Sequence, residues 1–284
     1  MQSVKIVSDS ACDLPADWID SLDIGIIPAF VNFGQESFAD DGIALSRAEF
    51  YRRLADATEL PRTAAPPSTI SEDVISNQLA KAERVIVFTI AAKFSSLHNG
   101  VRAAAARVDP KRVTVVDTGT VSMGEGWQTL VAAESAARGE IYEQILSTIQ
   151  SVRERTRLVP VIDTLEYLHR GGRINRVVAG LGGLLQIKPM LDIGGDGQVT
   201  ILARTRTMGK AVQGLVDLAH RQAPFERLAL LHSHYPEGAA ALETSLRDLL
   251  PKGEYNLMVG DVATAIGTHV GPGCVGLAWV RQKN

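Results

Sequence analysis

Apolar and polar positions follow two rhythms in the first half of the chain. Residues 4–7, 24–31, 84–90 and 113–116 are short apolar runs that read as strands, and the stretches between them repeat apolar residues at helical spacing. The run 84–90 is almost continuously apolar, as expected of a strand buried on both faces. Asp13-Leu14-Pro15 marks a helix start, with Asp13 near the cap and Pro15 in the first turn. Ser46-x-x-Glu49 ahead of Phe50, Tyr51 and Leu54 is a capping box, and Thr69-x-x-Glu72 ahead of Val74, Ile75 and Leu79 is a second. Ser95 and Ser96 open another helix, with Leu97, Val101, Ala104 and Ala105 on its apolar face, and two more helices are predicted at about 124–138 and 141–156.

After Arg157 the texture changes. Residues 158–162 read as a strand and 164–169 as a short helix, followed by a Gly-rich stretch with Gly171, Gly172, Gly180, Gly182 and Gly183. Residues 187–193 and 199–203 form a strand pair across the turn Gly194-Gly195-Asp196-Gly197. A helix, a strand and a helix then run to about Leu250, and the strands 256–259 and 276–280 end the pattern. The alternation predicts an α/β protein of two domains. Residues 1–158 form a doubly wound parallel sheet, and residues 159–284 form an α/β domain with a mixed sheet.

Composition narrows the class. Of 284 residues, 45% are hydrophobic and 21% charged, a globular balance. Lys plus Arg less Asp plus Glu is 29 − 32 = −3, so no basic excess points to nucleic acid or to an anionic membrane. The two cysteines, Cys12 and Cys274, stand too far apart in sequence to suggest a disulfide framework. The chain enters its first strand at once, with no leader-like run and no apolar stretch long enough for a bilayer, so a cytoplasmic protein is expected.

In a parallel sheet, ligands gather at the carboxyl ends of the strands. Loops 8–14, 91–96 and 117–126 should meet there, and segment 63–68, just before a helix, approaches the same edge. Ser95 and Ser96 lie where free N–H groups and the helix dipole favour an anion, and Thr63 offers a further hydroxyl. Spacing alone reads these residues equally as helix caps. Gly271-x-Gly273-x-x-Gly276 matches a dinucleotide fingerprint in form only, because a strand follows it. His232-Ser-His234 lacks further ligands for a metal; one histidine should face inward and the other sit in a turn. Asp9, Asp117 and Asp163 stand at strand ends, where they serve either catalysis or loop geometry. There is no Walker A sequence and no nucleophile elbow, so no cofactor or metal is expected.

Taken in order, these segments resemble the DegV family. The shared features are Val7-Ser8-Asp9-Ser10-Ala11-Cys12-Asp13-Leu14-Pro15, Thr63-Ala64-Ala65-Pro66, Tyr167-Leu-x-x-Gly171-Gly172-Arg173-Ile174, Leu184-Leu185-Gln186-Ile187-Lys188-Pro189 and His269-Val-Gly271-Pro272-Gly273. The family's serine loop, usually Ser-Ser-Gly-Leu-Ser-Gly-Thr, is altered to Ala91-Ala92-Lys93-Phe94-Ser95-Ser96-Leu97, which keeps the key Ser95. The resemblance implies a long-chain fatty acid in a tunnel between two domains, its carboxylate held by Thr63 and Ser95. His269 lies near the same head group and Arg173 behind it. It also implies presentation of the lipid to an ATP-dependent fatty acid kinase rather than catalysis by this chain. Arg204 and Arg206, in turn-rich surroundings that expose long cations, are a candidate partner surface. The alternatives are a lipid-sensing regulatory protein, or a hydrolase or phosphotransferase that uses Asp9, Asp117 or His269.

Overall fold

The computed structural model describes residues 3–174 and 187–283; Gly180, Gly182, Gly183 and residues 184–186 of the expected Leu-Leu-Gln-Ile-Lys-Pro segment lie outside the described residues. The first part runs β1 (Val4–Asp9), α1 (Ala16–Ser21), β2 (Gly25–Ile27), β3 (Phe30–Phe33), β4 (Glu36–Ala39), α2 (Arg47–Asp56), β5 (Arg62–Ala64), α3 (Ser68–Leu79), β6 (Arg84–Thr89), α4 (Leu97–Val108), β7 (Val113–Asp117), α5 (Met123–Ala137) and α6 (Tyr142–Arg155). The rest runs β8 (Thr156–Val161), α7 (Glu166–Arg170), β9 (Lys188–Gly194), β10 (Val199–Thr205), α8 (Met208–Gln222), β11 (Phe225–His232), α9 (Pro236–Ser245), β12 (Leu257–Asp261), α10 (Thr264–Val270) and β13 (Val275–Arg281).

Strands β2-β1-β6-β7 form a parallel sheet in that order. As the apolar run predicts, β6 is buried on both faces. Ile86 and Phe88 pack with Trp127 and Leu130 of α5, while Val85 and Val87 pack with Ile75 of α3 and Val101 of α4. The second sheet is mixed, in the order β10-β9-β8-β13-β11-β12, with only β11 and β12 parallel. Leu158, Ile193, Ala229, Leu231 and Ala278 from one of its faces join Ile6, Trp127 and Leu130 in one core, so α5 is buried between the two sheets. The Trp127 indole donates to the Ala278 carbonyl at 3.0 Å across that contact. The other face, with Leu228, Leu230, Leu277 and Trp279, packs on α8 and α9 through Leu215 and Leu242.

Three local expectations are corrected. The run 24–31 is two strands, β2 and β3, broken at Pro28, whose ring removes the N–H a continuing ladder needs. β3 instead joins β4 and β5 in a three-stranded antiparallel sheet. The Thr69 capping box is absent: α3 already begins at Ser68 behind Pro67, so Thr69 lies inside the helix. Asp13 does not cap α1, which starts at Ala16 with Pro15 in the cap position. Asp13 takes a left-handed backbone, φ 56°, and its carboxylate accepts from the Ala263 N–H at 2.7 Å and from the Ser122 hydroxyl. Ser46, by contrast, caps α2 through the Glu49 N–H at 3.2 Å, while the Glu49 carboxylate turns to Arg52 and Arg53.

Candidate functional site

The three loops beyond β1, β6 and β7 meet, and buried Asp9 and half-buried Asp117 tie them together. Asp9 accepts from the Ala11 N–H at 2.8 Å and, through its other oxygen, from the Ile90 N–H at 2.8 Å. Asp117 accepts from the N–H groups of Gly119 and Ala92 at 3.0 and 3.3 Å. Burial nevertheless pushes the Asp9 carboxyl up to about 7. Asp163, at the end of β8, is bound by the Lys188 ammonium at 2.6 Å. All three aspartates hold chain segments in place.

Loop 91–96 presents Ser95 one residue ahead of the cap position of α4. Its hydroxyl accepts from the Leu97 N–H at 3.2 Å and keeps its own proton for a further acceptor. Ser96 is exposed and makes no side-chain cap bond. Thr63 lies on strand β5, opposite Val31, in the segment ahead of α3, because segment 62–64 completes the small antiparallel sheet. Its Oγ1 is 2.9 Å from Nε2 of His269, on the last turn of α10.

The Gly-Gly-Arg-Ile and His-x-Gly-Pro-Gly segments pack against each other. A Cβ at Gly171 would sit 3.0 Å from His269 Nδ1. Gly271, at φ 70°, leaves its α-carbon bare where a Cβ would run into the Tyr167 ring. Arg173 donates to the Gly171 carbonyl at 2.7 Å. Burial, and after it the positive charge of Arg173, pull the His269 imidazole down to about 4, so it is neutral at physiological pH. His269 Nδ1 is buried and has no hydrogen-bond partner among the described residues.

Thr63, Ser95, Arg173 and His269 line one cavity of about 190 Å³. A single water needs only about 10–15 Å³, so the space takes a molecule. Its walls are apolar. Alternate residues of β8 and the residue beyond it, Leu158, Pro160 and Ile162, face inward with Leu191 and Ile193 of β9 and with Ala265 and Ile266 of α10. Gly276 faces Pro160 in register, leaving bare backbone in the cavity wall. No signal in the sequence marks these apolar wall residues, because Val159 and Val161 between them are equally apolar and are buried in the core on the other face of the sheet.

Arg204 lies exposed on the edge strand β10 and Arg206 exposed just beyond it, and neither is among the cavity-lining residues. His232 ends β11, with its Nδ1 3.4 Å from Asp261. His234 takes a turn conformation, φ 49°, stacked on Tyr51 at 4.9 Å. Among the described residues, no group of three or more His, Cys, Asp or Glu side chains is placed to hold a metal ion, and no helix is long and apolar enough to cross a membrane.

The family model described as "Uncharacterised protein, DegV family" matches residues 3–282. A DegV domain-containing protein of Caldanaerobacter subterraneus is 31% identical over 280 residues, covering 98% of each chain. A solved structure of a DegV-family protein from Thermus thermophilus, described by its fatty-acid binding, superposes with a TM-score of 0.88 at 29% identity, covering 99% of this chain and all of that one. The structure of DegV from Bacillus subtilis, described as a fatty acid binding protein, gives a TM-score of 0.86 at 26% identity with the same coverage. The motif order, both sheets and the whole-chain match therefore agree, and the chain belongs to the DegV family.

Proposed function

We propose that the chain binds a long-chain fatty acid in this cavity, between two lobes formed by residues 1–158 and 159–284. Thr63 and Ser95 hold the carboxylate, His269 and Arg173 stand behind them, and the acyl chain runs over the inward faces of β8 and β9. The observation that carries this reading is that the hydrogen-bonded Thr63–His269 pair and Ser95 line the same largely apolar cavity. The fatty-acid binding described for the Thermus and Bacillus relatives supports it.

The energetics agree. Each CH₂ taken out of water contributes about 0.8 kcal/mol, but a carboxylate drawn inside must be hydrogen-bonded or its burial cost cancels that gain. With the proton on Nε2, neutral His269 donates to Thr63 Oγ1 and leaves the Thr63 hydrogen for the carboxylate. The unpartnered Nδ1 is then an acceptor rather than an orphaned N–H. Hydroxyls rather than a direct cation hold the head group in this reading, so it stays available to a second protein. The chain therefore holds a substrate for a fatty acid kinase, which docks beside Arg204 and Arg206, and performs no chemistry itself. Both oxygens of Asp9, and one of Asp117, accept from backbone N–H groups, a loop-holding role that supports binding over a free-standing hydrolase.

Native mass spectrometry of freshly purified protein tests the reading. A co-purified fatty acid, exchangeable with added palmitate, is expected. A bound nucleotide, or failure of stripped protein to take up palmitate, would overturn it.

A further inference from the structure

Helix α10 carries His269 on its last turn and has no side-chain cap of its own: Ala263 occupies the cap position. The first N–H groups of a helix need outside acceptors, and here they come from the far end of the chain. Asp13 accepts from the Ala263 N–H at 2.7 Å, across 250 residues of sequence. Asp40 accepts from the Thr264 N–H at 2.9 Å and from the Thr264 hydroxyl at 2.7 Å. The other Asp40 oxygen accepts from Ser10 at 3.0 Å, and the Ser10 hydroxyl in turn accepts from the Ala29 N–H at 3.0 Å. Asp13, Asp40 and Thr264 are buried.

We infer that Asp40, with Asp13 beside it, is a positioning residue of the head-group site: by holding the start of α10 it sets where His269 meets Thr63. The helix has seven residues. At Gly267, near its middle, a Cβ would lie 2.6 Å from the Tyr51 hydroxyl, so α10 is pinned there against α2. Displacing the head of a short rod that is held at its middle swings its tail. His269 is five residues beyond Thr264, about 7.5 Å along the axis at 1.5 Å per residue.

This inference rests on the proposed fatty-acid site, and a double-mutant cycle separates the failure of one from the failure of the other. Binding of a fluorescent fatty acid is titrated in wild type, Asp40→Ala, Asp40→Asn, His269→Ala and the Asp40→Ala/His269→Ala pair, with a melting curve of each. Asp40→Ala should weaken binding about tenfold, the scale of one lost charge-assisted hydrogen bond. Asp40→Asn, which keeps an acceptor for Thr264, should restore most of the affinity, and Asp40→Ala should add little once His269 is gone. Equal losses with and without His269, or a melting change with affinity untouched, would reduce Asp40 to a structural cap and overturn the inference. If His269→Ala binds as wild type does, the head-group reading itself falls and takes the inference with it. Should Asp40→Ala fail to fold, Thr264→Val, which removes only the hydroxyl donor, replaces it in the same cycle.

Discussion

Thr63 Oγ1 and His269 Nε2 lie 2.9 Å apart, although 206 residues separate them in sequence. One side chain stands on a strand of the small antiparallel sheet and the other on a helix between β12 and β13 of the mixed sheet, so the pair reports how the two parts of the chain meet.

Removing the Thr63 hydroxyl, in Thr63→Val, should weaken fatty-acid binding by about 1.5–3 kcal/mol, roughly tenfold to a hundredfold, and should destabilise lipid-free protein by about 1–3 kcal/mol, because His269 loses the acceptor of its Nε2–H. Ser95→Ala should lose similar affinity and also about 1 kcal/mol of stability, because its hydroxyl accepts from the Leu97 N–H. Titration beside melting curves resolves the two contributions; full affinity in both variants would remove these residues from the head-group site.

The cavity wall predicts chain-length selection. Leu191→Trp fills space that an acyl tail would occupy. Each methylene excluded should cost about 0.8 kcal/mol, roughly fourfold in affinity, so longer fatty acids lose more than shorter ones. Competition between fatty acids of increasing length reads this directly, and a uniform loss at all lengths would contradict it.

Stability should fall as pH rises through the weakly acidic range. Burial holds Asp9 and Asp13 at about 7, against an ordinary value of 3.8, with the like charge of Asp40 adding to both. Arg47 and the bonds from Ser122 and Ala263 oppose the shift at Asp13, as those from Ile90 and Ala11 do at Asp9. Between those values the folded chain keeps protons that the unfolded chain has released, so each group contributes a loss of up to about 1.4 kcal/mol per pH unit as pH rises. His269 works the other way: held at about 4 against 6.5, it adds stability as pH rises through that interval. Two carboxyls outweigh one imidazole, and from pH 6.5 to 7 they act unopposed. Denaturant unfolding at steps between pH 4.5 and 7 should show a negative slope that Asp9→Asn makes shallower; an unchanged slope in that variant would clear Asp9 of the effect.

Reversing an exposed charge on the edge strand, in Arg204→Glu, should leave fatty-acid affinity unaltered while slowing phosphorylation of the bound lipid by a fatty acid kinase. Arginine forks suit carboxylates or phosphates on a partner. An undiminished rate would place the docking surface elsewhere.

Much of the architecture was legible in the sequence because it depends on local periodicity. The apolar run of β6, the strand pair across Gly194–Gly197 and the Ser46 cap all follow from residues within a few positions of one another. The resemblance to the DegV family, not spacing, singled out Thr63, Ser95, Arg173 and His269, four residues that line one cavity. Local reasoning failed where a distant partner outbid a near one. Asp13 has the spacing of a helix cap, but its carboxylate bonds the Ala263 N–H and the Ser122 hydroxyl instead. Thr69 has the spacing of a capping box, but Pro67 starts the helix earlier. No pattern marks Asp40 as the acceptor for the head of α10, since that bond joins residues 224 apart. Strands and helices follow from short-range sterics and hydrophobic period. The partner of a buried polar group is decided only when the sheets close and water is excluded, and from then on every N–H at a helix start must find whatever acceptor the fold has brought within reach.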